Sequence, residues 1–189
     1  MSRRAAGSGT VDPVTVSLPP LTACARDIER HVAAAGWDQP IRLFALVPTS
    51  ELRASQPHLE HLEAEESDAL SAVEQDDLPA ADSVETLLAQ IGWPDQVHGA
   101  AIAVERIVLP PQAQAQLPTG EAEALAAVAA HPQREDVRLL VAVLRDGSAT
   151  CLLRQRRNDD DDQVAVGHDI APGLVDALRA TLEEYTLEE

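Results

Sequence analysis

The chain has 189 residues, 45% hydrophobic and only 2% aromatic, with a formal net charge of −18. That length fits one domain and is tight for two, and the core has to be assembled from Leu, Val, Ile and Ala. The charge argues against nucleic acid and against an anionic membrane surface, which call for a basic face. It leaves room for a cationic partner.

Residues 1–18 read as a polar tail. Arg3-Arg4 is not followed by the apolar stretch of a twin-arginine signal, and no apolar run reaches transmembrane length. From Pro19-Pro20 to about residue 186 the pattern is that of one α+β domain. Leu21, Ala25, Ile28, Val32 and Ala35 recur at helical spacing, with Arg26, Asp27, Glu29 and Arg30 expected to turn away. Gly36 then ends the helix as C′, and Trp37 at C″ is expected to pack on Val32. Ile41–Val47 is a short apolar strand stopped by Pro48. Thr49 or Ser50 caps a short helix through Ser55.

Residues 56–82 hold nine acids and no base. They read as an acidic irregular excursion with room for one helical turn around Ser67–Asp77. Ser83 is an N-cap, Val84, Leu87, Leu88 and Ile91 form a helical stripe, and Gly92-Trp93 closes it before a strand over about Val97–Leu109. Helix, Gly-Trp, strand is thus written twice. Reuse of one capping motif accounts for that more simply than an internal duplication.

Pro110-Pro111 breaks the strand, and Glu121–Ala130 is an Ala-rich helix. Val137–Arg145 and Ser148–Arg156 flank Asp146-Gly147, the pair preferred in a two-residue type I′ hairpin. That turn sets Arg145 opposite Ser148, Val143 opposite Thr150 and Ala142 opposite Cys151. Cys151 then shares a core face with Leu140, Ala142 and Leu144. Arg154 and Arg156 share the other face with Val141 and Val143, whose apolar centre a helix would cover. A charged loop, Asn158–Asp162, and a short strand, Val164–Val166, follow. Asp169 caps a final amphipathic helix carrying Leu174, Leu178 and Leu182. The expected fold is therefore α+β, an antiparallel sheet of about four to five strands packed against N-terminal, middle and C-terminal helices.

Several blocks resemble a known family: GWDQPIRLFALV, VEQDDLP, IGWPDQVHGAAIAVERIVLP, HPQREDVRLLVAVLRDG and DDDDQVAVGHDIAPGLVDALRATLE. It is a family of high-GC Gram-positive, actinobacterial proteins that goes by a locus-tag name and has no assigned activity. The resemblance runs from about Leu21 to Glu184. It implies a cytosolic bacterial protein and carries over no functional residue. The element order also resembles small α+β domains of secretion-chaperone type, which bind protein segments and often dimerise; that likeness is architectural only.

All 14 positive residues are arginine. High-GC coding accounts for that more simply than selection for guanidinium chemistry. The lack of lysine excludes Schiff-base, pyridoxal and P-loop chemistry. GxSxG, HExxH and GxGxxG patterns are absent, and no cofactor is implied. Cys24 and Cys151 form no CxxC pair and fit a reducing, cytoplasmic setting. Cys24 and His31 lie two helical turns apart, roughly 10 Å, too far for a nucleophile pair.

Two candidate sites remain. Arg138, Arg154, Arg156 and Arg157 gather at the open end of the hairpin, where they either bind an anion or acidic peptide or pair with neighbouring acids. Asp159, Asp160, Asp161 and Asp162 are the candidate metal ligands, since hard cations take carboxylate oxygens. The run lacks the alternating spacing of a calcium loop, and a solvated loop is the competing reading. His58 and His61, three apart among glutamates, form a weaker metal candidate. The leading function is a non-catalytic cytosolic interaction domain that binds a protein partner or itself. The alternative is a metal-assisted hydrolase or phosphate-handling enzyme built on the aspartates with His168 or the arginines.

Overall fold

The computed structural model describes residues 18–55 and 68–183. The expected tail, the His58/His61 pair and the first part of the acidic excursion lie outside the described residues. The element order is α1 (Pro20–Ala34), β1 (Arg42–Pro48), α2 (Thr49–Ser55), β2 (Leu70–Glu74), α3 (Val84–Leu88), β3 (Gly99–Val108), α4 (Pro111–Gln114), α5 (Glu121–Ala130), β4 (Glu135–Leu144), β5 (Ala149–Gln155), β6 (Ala165–Gly167) and α6 (Pro172–Ala180). The strands form one sheet in the order β2-β1-β3-β4-β5-β6, and every neighbouring pair is antiparallel. The fold is α+β, as the sequence pattern indicates, with one strand more than expected. The extra strand is β2, inside the segment read as irregular. Its acids hid it, because an edge strand needs no full apolar alternation.

Alternation of side chains across the sheet divides the core in two. Leu43, Ile102, Val141 and Cys151 lie in one cross-strand row. They face Val84 and Leu88 of α3, Val175 and Leu178 of α6, and Leu182 just beyond it. Phe44, Ala101, Leu140, Ala142 and Leu152 face the other way, against Leu21, Cys24, Ala25, Ile28 and Val32 of α1. With so few aromatics, the alanines of β3 let helices sit close on both faces. Leu178 is fully buried; such a side chain contributes about 1.5–3 kcal/mol.

The local punctuation is mostly as read. Gly36 takes φ +85° after α1, a backbone state that favours glycine. The Ser83 side chain accepts from the Thr86 N–H at 3.0 Å. Two expectations fail. Gly92 is not at positive φ, so the two Gly-Trp units differ in backbone although each stands between a helix and a strand. The residue preceding α6 is Ala171, without a side-chain cap, so Asp169 does not cap that helix.

The hairpin differs in register by one residue. Leu144 N–H donates to the Ser148 carbonyl at 2.9 Å and Gly147 N–H to the Leu144 carbonyl at 3.1 Å. The connection is therefore three residues, Arg145–Asp146–Gly147. A type I′ turn needs positive φ at both central residues. Here Gly147 has φ +90° and Asp146 does not, the pattern of a three-residue loop ending in a left-handed glycine. The Asp146 carboxylate accepts from the Ser148 N–H at 2.8 Å, which fixes the loop. Ala142 then pairs with Thr150, Val141 with Cys151 and Arg138 with Arg154. A slip of one residue exchanges the faces of a strand. Cys151 joins the α6 side, and Arg154 passes beneath α1.

Gly99 and Gly147 are sensitive for different reasons. A Cβ on Gly99 would run into the Val143 carbonyl and the Leu144 side chain. Gly147 has open space around it, so only its backbone conformation resists substitution. Urea denaturation should show Gly99→Ala losing about 2–3 kcal/mol, from overpacking, and Gly147→Ala about 1 kcal/mol.

Candidate functional site

The charged end of the hairpin is organised by one buried arginine. Glu29 lies on the core stripe of α1, between Ala25 and Val32, and is only 3% exposed; it does not turn away as its polarity suggests. Arg154, 2% exposed, meets it with two parallel hydrogen bonds, Nε to Oε1 at 2.6 Å and Nη2 to Oε2 at 2.8 Å. The same guanidinium donates to Asp159 at 3.0 Å and Asp161 at 2.6 Å. One cation thus holds three carboxylates from α1 and the aspartate loop. Its affinity for the proton is raised, chiefly by the hydrogen bonds to Glu29 and despite the opposing effect of burial.

Trp37 follows Gly36 over this end of the sheet. The guanidinium carbons of Arg138 and Arg156 lie over its ring, 4.5 and 5.5 Å from the centroid, an arrangement favoured by the negative face of the indole. Its Nε1–H donates to Asp159 at 2.8 Å. That bond and the Arg154 guanidinium hold the Asp159 carboxyl below its ordinary range. Asp38, at φ +64°, pairs with Arg156 through two bonds of 2.9 and 2.8 Å, which lowers its carboxyl in turn. Arg138 donates to the Gly36 carbonyl and, at 2.8 Å, to Glu105. Arg157 meets Glu135 at 2.6 Å.

All four arginines singled out in the sequence therefore have acidic partners. Arg138 and Arg154 are buried, while Arg156 and Arg157 are exposed. Of the four aspartates, Asp159 and Asp161 turn onto Arg154. Asp160 accepts from the Asp162 N–H at 2.9 Å, within a 3-10 turn. Among the described residues, no group of three or more His, Cys, Asp or Glu is arranged to hold a metal ion. His168 points its Nδ1 to the Ala149 carbonyl at 2.8 Å, away from that loop's partners. Sequence reasoning missed Glu29, Trp37 and Glu105. An acid on the apolar stripe of a helix, as Glu29 is, was the one signal available.

A second polar cluster lies across α1. Arg42 grips Glu74 with two bonds of 2.5 Å and meets His31 Nε2 at 2.8 Å. His31 and Glu74 rim a 390 Å³ hollow that also includes Cys24 and Asp27. Burial, with Asp27 adding to it, pushes the Cys24 thiol up to about 12. It is therefore a protonated core thiol at neutral pH and a poor nucleophile. His31 is engaged by Arg42 and, at 3.5 Å, Glu74.

Removing one side of a buried pair strands the other. Arg154→Ala, which leaves the buried Glu29 without its partner, should cost about 3–5 kcal/mol in chemical denaturation, Glu29→Ala less, because Arg154 keeps Asp159 and Asp161, and Glu29→Leu combined with Arg154→Met much less than the sum of the single changes. A second expectation concerns acid. Asp159 and Glu74 are held below their ordinary values of 3.8 and 4.5. Their contribution is complete above those values and is lost as pH falls through the lowered folded ones. The melting temperature should therefore drop steeply below about pH 4, and Asp159→Asn should flatten that drop.

The model of the family described as PPA1309-like protein matches residues 21–183. Comparison with curated proteins and with solved structures gave no match. The family model covers nearly all of the sheet and helices described above, and the chain belongs to the PPA1309-like protein family.

Proposed function

We propose that this protein is a non-catalytic, cytoplasmic protein-interaction domain. The observation that carries the reading is α5. It is apolar on all sides apart from its first turn, yet among the described residues it packs extensively against neither the sheet nor another helix, and Leu125 at its centre is 65% exposed. A helix apolar all round is ordinarily buried. Ten residues are also too few to hold a helix in water without tertiary contacts. Ile107 and Val108, at the end of β3, are also exposed. The charged clusters support the same reading, because the arginines and acids at the hairpin end are paired with one another.

The net charge of −18 and the pairing of the hairpin arginines speak for a protein partner over nucleic acid. Among the described residues no helix is long and apolar enough to cross a membrane, and both cysteines are buried free thiols, which fits a reducing compartment. The test is capture from native lysate with a carboxylate-reactive crosslinker, since the chain has no lysine. We expect a reproducible partner, this chain included, that Leu125→Arg loses while the fold melts as before. No partner, or the same partners with both proteins, would overturn the reading.

A further inference from the structure

We propose that the turn end of the β4–β5 hairpin borders a binding site for a small amphipathic amine, a protonated nitrogen carried on an apolar body. The site is separate from α5 and stands whether or not that helix has a partner. It is a hollow of about 560 Å³ between the start of α1, the start of β2 and the hairpin loop, within the roughly 300–1,000 Å³ of small-molecule sites. Its apolar lining comes from Pro19, Pro20 and Leu21 at the helix, Leu70 of β2, and Leu144 and Ala149 of the hairpin. Because Gly99 has no side chain, that of Leu144 lies over β3 at this end.

Charge selects the ligand. The ionisable groups on the lining are Asp68, Asp146 and His168, and no arginine is among them. The Asp146 carboxylate accepts from the Ser148 N–H at 2.8 Å. That bond holds its carboxyl below the ordinary range, so it is ionised at neutral pH. His168 Nδ1 lies 2.8 Å from the Ala149 carbonyl. A carbonyl only accepts, so Nδ1 carries the proton and Nε2 of the neutral ring is left as an acceptor. Arg145, in the same loop, is turned instead to the Trp93, Pro94, Val97 and Leu182 carbonyls. Asp68 belongs to a run, residues 54–105, that contains no arginine, and the field of a chain at −18 draws cations. Carboxylates beside an apolar hollow repel an anion and take charge-assisted hydrogen bonds from an ammonium group. A bare cation would leave the apolar walls uncovered, so the ligand needs both parts.

Titration of the isotope-labelled full chain with octylamine, octanoate and ethylamine, followed by backbone amide shifts at about pH 7.5, where a neutral imidazole prevails, tests this. We expect octylamine to saturate, with shifts at Leu21, Leu70, Leu144 and Ala149, and to bind about tenfold or more tightly than octanoate or ethylamine. Asp146→Asn keeps an oxygen for the Ser148 N–H and removes the charge. It should weaken octylamine about fivefold or more with an unchanged thermal melt. Glu123→Gln makes the same change of charge on α5, at the opposite end of β3 and β4, and should leave the affinity as it was. No saturable binding, octanoate bound as well as octylamine, shifts confined to residues outside the hollow, or an affinity indifferent to Asp146→Asn would each overturn the proposal.

Discussion

Arg154 joins three parts of the chain that are far apart in sequence: α1 through Glu29, the hairpin on which it sits, and the loop carrying Asp159 and Asp161. A buried ion pair seldom adds much to net stability, because removing two charges from water costs nearly what their attraction returns. What it does supply is selectivity among arrangements. Any register or helix placement that separates Arg154 from Glu29 leaves a charge in the core without a partner, which is far worse than never having buried it. The fixed position of α1, and with it Gly36, Trp37 and Asp38, follows from that penalty.

The hairpin shows how far the sequence could be read. Asp146-Gly147 located the turn and both strands, because glycine in a left-handed state after aspartate is a local preference. It did not distinguish a two-residue from a three-residue loop, since the same dipeptide serves both. The choice rests on long-range terms: Cys151 fits the α6 side, Thr150 and Leu152 fit beneath α1, and Arg154 finds Glu29. One residue of register thus moved Arg154 from one layer to the other. The helices α1 and α6 were legible from periodicity, and α5 from its run of alanines. β2 was not, because a five-residue edge strand set within an acid-rich segment resembles a loop, and Glu29 was read as surface because its polarity outweighed its place on the stripe.

The charged cluster and α5 are opposite answers to one composition. With 32 acids against 14 arginines, Arg42, Arg138, Arg154, Arg156 and Arg157 are matched to carboxylates, and the excess of acids keeps the net charge negative. What remains for contact is the stretch from which charge is missing. Its helix is also the element that depends most on something outside the described fold for burial. On the proposed reading, stability and recognition are placed at different points, and changes at one should leave the other largely intact.

The chain has two tryptophans, and they belong to different layers. Trp37 lies on the α1 side, hydrogen-bonded to Asp159. Trp93 lies on the α6 side, its Nε1–H donating to the Thr181 hydroxyl at 2.9 Å, beside the carbonyls that Arg145 grips. Each face of the sheet thus carries its own fluorophore: one beside two guanidinium groups and a carboxylate, the other against a neutral hydroxyl. Their emission gives the protein an internal optical comparison of whether its two helical layers come away together or in turn.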